Sequence, residues 1–495
     1  MARLIIDQAL QHAESYVKDG KIDQARTLYQ SVLDRFPENE QAHKGLAGLQ
    51  LHRADVVEDH SQEAIKQLGK LYEQGQLVSV VEQSLILTRQ YPNNYVFWSI
   101  FGFANKSLGR NKDSEFGFKN AIRLNPEDSK GHINLGIALK NQGKLEEAIK
   151  AYDEAIFLKP ECADAYNNKG NALKDLGKLE DAMDLYDKAL SLEPSFAEVY
   201  NNIGNVYQDQ DQQEDAIEAY DKALLLEPNF VEAFNNKGNA LSDQGKIEES
   251  IAAFDNAINL RPDNAEAYNG KGDAFKKKGE WGNAIDAYKK VIILKPGFIN
   301  AYYNMGEIYV KLGKLKQAVS AYKKAISFKP NLFQAYNHMG NSLLVLGELD
   351  KAICAYRRAI LIKPDFVEAL NNLGNTFLNQ DKLFEAIDCY YKAISLRPNF
   401  ADTYNNLGNA FYTQGKLGKA LDNYNMALAF RPNYVEAYNN MGLTLQEKGK
   451  FKKAKKAFNQ ALCLDPKNAK AHFNLSLLYN LQGNFEAGLK LYEWR

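Results

Sequence analysis

The sequence predicts an all-α solenoid, a stack of helix-turn-helix units 34 residues long, and three observations carry the prediction. Twelve of the thirteen prolines recur at that interval without slippage, from Pro92 and Pro126 through to Pro466. Within each interval apolar residues follow i, i+3/i+4 spacing twice over, as two amphipathic helices require. Glycine recurs at two fixed places, inside the first helix and again at its end. A fixed period of this length denotes a stacked array in which each unit buries its apolar face against its neighbours.

With Tyr95 as position 1, the unit 129–162 carries Leu135, Gly136, Leu139, Ala148, Tyr152, Ala155 and Pro160 at positions 7, 8, 11, 20, 24, 27 and 32. Glycine at position 8, from Gly136 and Gly170 to Gly442, lets the first helix approach the second, where a side chain would hold them apart. Alanine at position 20 does the same from the other side. The glycine of "LGK" or "QGK" at positions 14–16 ends the first helix, and proline at 32 stops the second. Aromatic rings at positions 4 and 24 fill the space between units, and His132 and His472, at position 4, are expected to pack in the same way. Lys169, Lys237 and Lys271 stand at the usually apolar position 7 and are expected to bury their stems while keeping the amines wet.

Ahead of the regular series, "YVKDGKIDQARTLYQSVLDRFPENE" (16–40) fits one unit ending at Pro37. From Pro37 to Pro92 is 55 residues, one period plus 21, and the acidic "DVVEDHSQE" stands where a second helix is due. Residues 1–60 are therefore expected to form a short N-terminal array and an acidic linker, and 61–495 a continuous array. The latter divides into a degenerate unit 61–94, regular units 95–468 and an incomplete last unit 469–495.

Composition restricts the function. A formal charge of −1 over 495 residues excludes binding to nucleic acid by charge alone. No apolar run approaches the roughly 20 residues needed to cross a bilayer, and the start turns polar too early for a secretory signal, so a cytoplasmic location without membrane insertion is expected. Cys162, Cys354, Cys389 and Cys463 lie far apart without C-x-x-C spacing and are expected as buried small residues, with no metal site and no cofactor. Phosphate-loop, zinc-protease and nucleophile-elbow motifs do not occur. Carboxylate pairs such as Glu146 and Glu147 open second helices, where they favour the dipole, and the lysine cluster 447–458 reads as a solvated outer face. This chain is not expected to be an enzyme in its own right.

The pattern of an aromatic at 4, Leu-Gly at 7 and 8, alanine at 20, an aromatic at 24, alanine at 27 and proline at 32 resembles the tetratricopeptide repeat family over 61–495. The resemblance implies a right-handed superhelical α-solenoid whose first helices line a groove, with positions 2, 5, 6, 9, 12 and 13 facing inward. Position 6 then places Asn134, Asn168, Asn202, Asn236, Asn304, Asn372, Asn406, Asn440 and Asn474 in one row, interrupted by Ile100, Gly270 and His338. Position 9 adds Asn171, Asn205, Asn239, Asn341, Asn375 and Asn409, and position 2 supplies Asp164, Glu198, Glu232, Glu266, Glu368, Asp402 and Glu436.

An asparagine amide offers the donor and the acceptor that a peptide bond needs. Helices pack about 8 to 10 Å apart and an extended chain advances about 3.3 Å per residue, so one asparagine meets about every third peptide residue. The acidic row would favour Lys, Arg, Ser or Thr side chains at intervals. The combination resembles the asparagine ladder and aspartate row in the repeat domain of O-linked N-acetylglucosamine transferases, which hold extended polypeptide. The chaperone-carboxylate groove of the same family needs lysine at 5 and Lys/Arg at 2 and 6, and these positions are here Asn, acid and Asn. Structural asparagines, bonded to neighbouring helices or water, are the second reading of the row.

The closing run "FEAGLKLYEWR" leaves Leu489, Tyr492 and Trp494 without a following helix and resembles the final repeat of bacterial proteins that carry a C-terminal glycosyltransferase or sulfotransferase. The expected function is capture of proteins or extended peptides for such a domain. A free-standing scaffold is the alternative.

Overall fold

A computed structural model describes residues 2–493, with side chains described at 6–49 and 61–493; Trp494 and Arg495 lie outside the described residues. All 28 regular elements among the described residues are α-helices. They form antiparallel pairs that follow the predicted period, such as Ser129–Lys140 with Leu145–Leu158 and Ala401–Thr413 with Leu417–Phe430.

Local chemistry sets the boundaries. The turn between paired helices holds its glycine at positive φ, 76° at Gly143 and 70° at Gly415, a conformation that costs other residues a Cβ clash. In two units aspartate takes that place, Asp211 at φ 61° and Asp381 at φ 57°. Proline at position 32 excludes the α conformation from the residue before it: Arg431 has φ −134° and ψ 88°, and the helix ends at Phe430. The position-4 ring then reaches back to that proline's carbonyl, with His132 Nε2 3.1 Å from Pro126 O and His472 Nε2 2.9 Å from Pro466 O.

The core repeats with the sequence. Ala420, Tyr424 and Ala427, at positions 20, 24 and 27, are at most 1% exposed. The glycine at position 8 serves the position-24 ring more directly than it serves helix approach. A Cβ on Gly170 would lie 2.6 Å from Tyr186 Cε1, inside contact distance. Each ring thus seats on a glycine of its own unit, and burying it contributes about 1.5 to 3 kcal/mol. Lys169 and Lys271 behave as expected, lying over the core with amines on Asp153, at 2.6 Å, and Asp255.

Two expectations are corrected. The acidic linker is helical: Glu40–Glu73 runs unbroken through residues 55–63, because neither proline nor glycine occurs between Gly48 and Gly69 to stop it. Of the cysteines only Cys389 is buried; Cys162 is partly covered, and Cys354 and Cys463 sit on outward-facing parts of second helices.

The chain divides into two compact units, Met1–Pro228 and Asn229–Arg495. Within each, consecutive first helices also touch one another, as Ser129–Lys140 does Ala163–Asp175 and Ala401–Thr413 does Val435–Glu447. Positions 2, 5, 6 and 9 of neighbouring repeats are thereby brought together along one face of each unit.

Candidate peptide-binding face

The asparagines at positions 5 and 6 form a bond that repeats from unit to unit. Position 6 donates its Nδ2 to the Oδ1 of position 5 in the preceding repeat: Asn202 to Asn167 at 2.9 Å, Asn372 to Asn337 at 3.2 Å, Asn406 to Asn371 at 3.1 Å, Asn440 to Asn405 at 3.0 Å and Asn474 to Asn439 at 2.9 Å. The position-5 partners Asn167, Asn337, Asn371, Asn405 and Asn439 are buried. Among the position-6 residues only Asn202 is; the other eight are half-exposed. Nδ2 of each paired amide is therefore engaged between repeats, twice over in Asn372, which also donates to Asn341 Oδ1 at 3.1 Å, and that engagement directs its carbonyl and any remaining N–H.

The predicted row is not uniform. Asn134 and Asn168 follow units lacking asparagine at position 5 and donate to their own helix, to Lys130 O and Asp164 O at 2.8 Å each. Asn304 donates to Asp273 Oδ1 at 2.9 Å. Lysine at position 12 occupies the carbonyls of two of them, Lys106 on Asn134 at 3.2 Å and Lys276 on Asn304 at 3.1 Å. Asn236 is half-exposed on the same face of the second unit. The longest regular stretch is Asn372, Asn406, Asn440 and Asn474, four consecutive repeats with the same pairing.

The interruptions have packing causes. Gly270 takes an asparagine's place because a Cβ there would collide with the ring of Phe254. His338 lies against Tyr303 and Tyr322, with ring centroids 5.8 and 5.9 Å away. Burial holds its imidazole below the ordinary histidine value, against the opposing pull of Glu307, so it is neutral near pH 7. Ile100 joins Leu68, Tyr72 and Phe103 in an apolar cavity on the first-helix face, which sequence reasoning did not single out.

Five of the six position-9 asparagines are half-exposed and carry the hydroxyls of buried tyrosines, while Asn239, in a unit with Phe254 at position 24, is exposed. Tyr186 Oη donates to Asn171 Oδ1 at 2.7 Å, and the same bond joins Tyr220 to Asn205, Tyr356 to Asn341, Tyr390 to Asn375 and Tyr424 to Asn409 at 2.7 to 2.8 Å. Burial raises the pKa of all five phenols, which stay protonated donors. A signal was available in the sequence: tyrosine at 24 accompanies asparagine at 9 in these five units. Where Ile137 replaces the asparagine, the buried Tyr152 Oη has no protein partner.

The acidic row is partly neutralised. Arginine at position 31 binds the position-2 carboxylate of its own unit: Arg261 to Glu232 at 3.1 Å, Arg397 to Glu368 at 2.7 Å, and Arg431 to Asp402 through two bonds of 2.9 and 2.8 Å. Tyr434 Oη adds a bond of 2.9 Å to Asp402. Burial alone would raise the Asp402 pKa, but Arg431 and Tyr434 outweigh it and the carboxyl titrates below its ordinary value. Glu198 accepts from Asn167 at 3.2 Å. Asp164, Glu266 and Glu436 are exposed and make no ion pair among the described residues. The carboxylates left open to a ligand are thus fewer than position 2 suggests.

Among the described residues no group of His, Cys, Asp and Glu could hold a metal, and no helix is long and apolar enough to cross a membrane. A family model described as a TPR repeat matches 138–177, 170–211, 238–279, 272–313, 306–347, 340–381, 379–415 and 408–449, more than half of the chain. Models described as tetratricopeptide repeat also match 10–72, 118–150, 197–230, 219–252 and 435–468. No curated protein matches. Among solved structures, MamA is 28% identical with a TM-score of 0.31, covering 32% of this chain and 94% of its own. YrrB, described as a TPR protein with an unusual peptide-binding site, is 27% identical with a TM-score of 0.30, covering 37% of this chain and 95% of its own. Yeast Tom70 is 17% identical with a TM-score of 0.40, covering 82% of this chain and 91% of its own.

Proposed function

Since the chain belongs to the tetratricopeptide repeat family, we propose that it is a protein-interaction module whose first-helix face captures extended polypeptide. One observation carries the reading: Asn372, Asn406, Asn440 and Asn474 stand in consecutive repeats, each amide oriented by its bond to the repeat before. An oriented amide loses less freedom when it binds, so each contact with a peptide group keeps more of its net 0.5 to 1.5 kcal/mol, as a rough range. Backbone groups are common to all sequences, so affinity accumulates with length and varies little with side chain. Arg397 and Arg431 neutralise Glu368 and Asp402 along this stretch, which leaves Glu436 as its one open position-2 carboxylate and makes selection for basic peptides weak.

Anisotropy with a labelled, permanently unfolded protein, reduced and carboxymethylated, tests the proposal. Replacing all four asparagines with alanine is expected to weaken capture by about tenfold or more with helicity retained. Capture at wild-type strength would assign the asparagines to packing alone.

The finer proposal, recruitment of substrate to a transferase, is supported by the ladder's resemblance. A transferase that co-purifies with the array and modifies captured polypeptide less after the same four substitutions supports it. Undiminished modification favours a free-standing scaffold.

A further inference from the structure

We infer that the second unit carries another docking surface, on its second-helix side, for an acidic amphipathic peptide segment. The sequence marks the place by the lysine cluster 447–458, and the structure gives it a shape. Between the second helices Leu417–Phe430 and Phe451–Leu464, floored by the first helix Val435–Glu447, runs a groove of about 770 Å³. Leu421, Met441 and Leu445 line its floor, and Lys450, Lys453 and Lys456 its rim. Leu421 and Met441 are half-buried, so the floor is open to an incoming side chain.

The cationic charge is in excess: four lysines line the groove against one acid, Asp422. None of Lys448, Lys450, Lys452, Lys453 and Lys456 forms an ion pair among the described residues. Second helices such as Leu145–Leu158 and Leu179–Leu192 open with carboxylates, whereas Phe451–Leu464, like Trp281–Leu294, Leu315–Phe328 and Leu417–Phe430, has no acid in its first turn. Lys452 and Lys453 therefore add to the positive end of the helix dipole, an arrangement unfavourable to the chain alone and favourable to a bound anion.

The equivalent groove of the first unit shows that this is not a consequence of the fold. It is lined by Asp187, Asp215 and Glu218, with Glu218 paired to Lys222 at 2.8 Å. Positions 19 and 22, Asp215 and Glu218 there, are Lys453 and Lys456 here. An apolar floor within a cationic rim fits a segment that alternates apolar and acidic side chains. A continuous phosphate backbone leaves the apolar floor unfilled.

The test uses the full chain and a fluorescent synthetic peptide alternating leucine and glutamate. Binding is expected, weakened by salt, and reduced about tenfold or more by the triple change Lys450→Glu, Lys453→Glu and Lys456→Glu, and separately by Met441→Gln. The four-asparagine variant is expected to leave it unchanged, which separates this surface from the first-helix face. Circular dichroism confirms that each variant is folded. Wild-type binding by the folded triple variant overturns the proposal, as does equal binding of a peptide with every leucine replaced by serine. Displacement of the peptide by duplex RNA or by phosphatidylserine vesicles at lower concentration than the unlabelled peptide requires assigns the surface to another class of ligand and overturns it as well.

Discussion

Asn406 donates its Nδ2 to Asn371 Oδ1, 3.1 Å away, across the junction between two repeats. The bond gives the buried Asn371 carbonyl its donor and, with a 3.5 Å bond that Asn406 Oδ1 accepts from Asn405 Nδ2, orients the half-exposed Asn406. Asn371→Ala and Asn406→Ala are each expected to destabilise their repeats by about 0.5 to 1.5 kcal/mol. The double variant should fall short of the sum by about 0.5 to 1 kcal/mol. Native-state hydrogen exchange within 367–434 is the suitable measurement, because a long array does not unfold in one step. Strict additivity would show the bond to be energetically idle.

Gly408 and Tyr424 give a steric test. A Cβ on Gly408 would lie 2.5 Å from Tyr424 Cε1, so Gly408→Ala is expected to cost about 1 to 3 kcal/mol through overpacking. Tyr424→Phe keeps the ring and removes its 2.8 Å bond to Asn409, for about 1 kcal/mol. Thermal melting should rank the glycine change as the more damaging.

Arg397 and Arg431 control the charge of the first-helix face. Arg397→Gln with Arg431→Gln releases Glu368 and Asp402. Capture of a lysine-containing unfolded peptide should then strengthen a few-fold relative to its glutamate-containing counterpart, most clearly at low ionic strength. An unchanged preference would place the bound chain away from position 2.

Glu115 predicts acid sensitivity. Burial alone would raise its pKa, but hydrogen bonds from Lys119, Lys144 and Gln142 outweigh it and hold the carboxyl at about 2, against 4.5 for the free group. A depressed folded-state pKa adds stability that is fully present above the unfolded value and is lost as pH falls from about 4.5 toward 2. In melting curves taken across that window, Glu115→Gln should start lower at neutral pH and fall less steeply with acid than the parent chain.

The sequence by itself determined the array. Period, helix limits and core positions follow from interactions within a few residues or within one unit: apolar spacing at 3.6 per turn, glycine where φ is positive, and proline where a helix must stop. It also brought the asparagines to one face, since position along a helix dictates direction. What the asparagines bond to was decided by tertiary structure. Asn406 meets a residue 35 places earlier, Asn304 an aspartate 31 places earlier, and Asn168 only its own helix. These outcomes depend on which side chains adjacent repeats bring within about 3 Å, a distance set by packing rather than by spacing along the chain. The same holds for Asp402, an open carboxylate in the sequence and a partner of Arg431 once the end of the second helix returns to the start of the first.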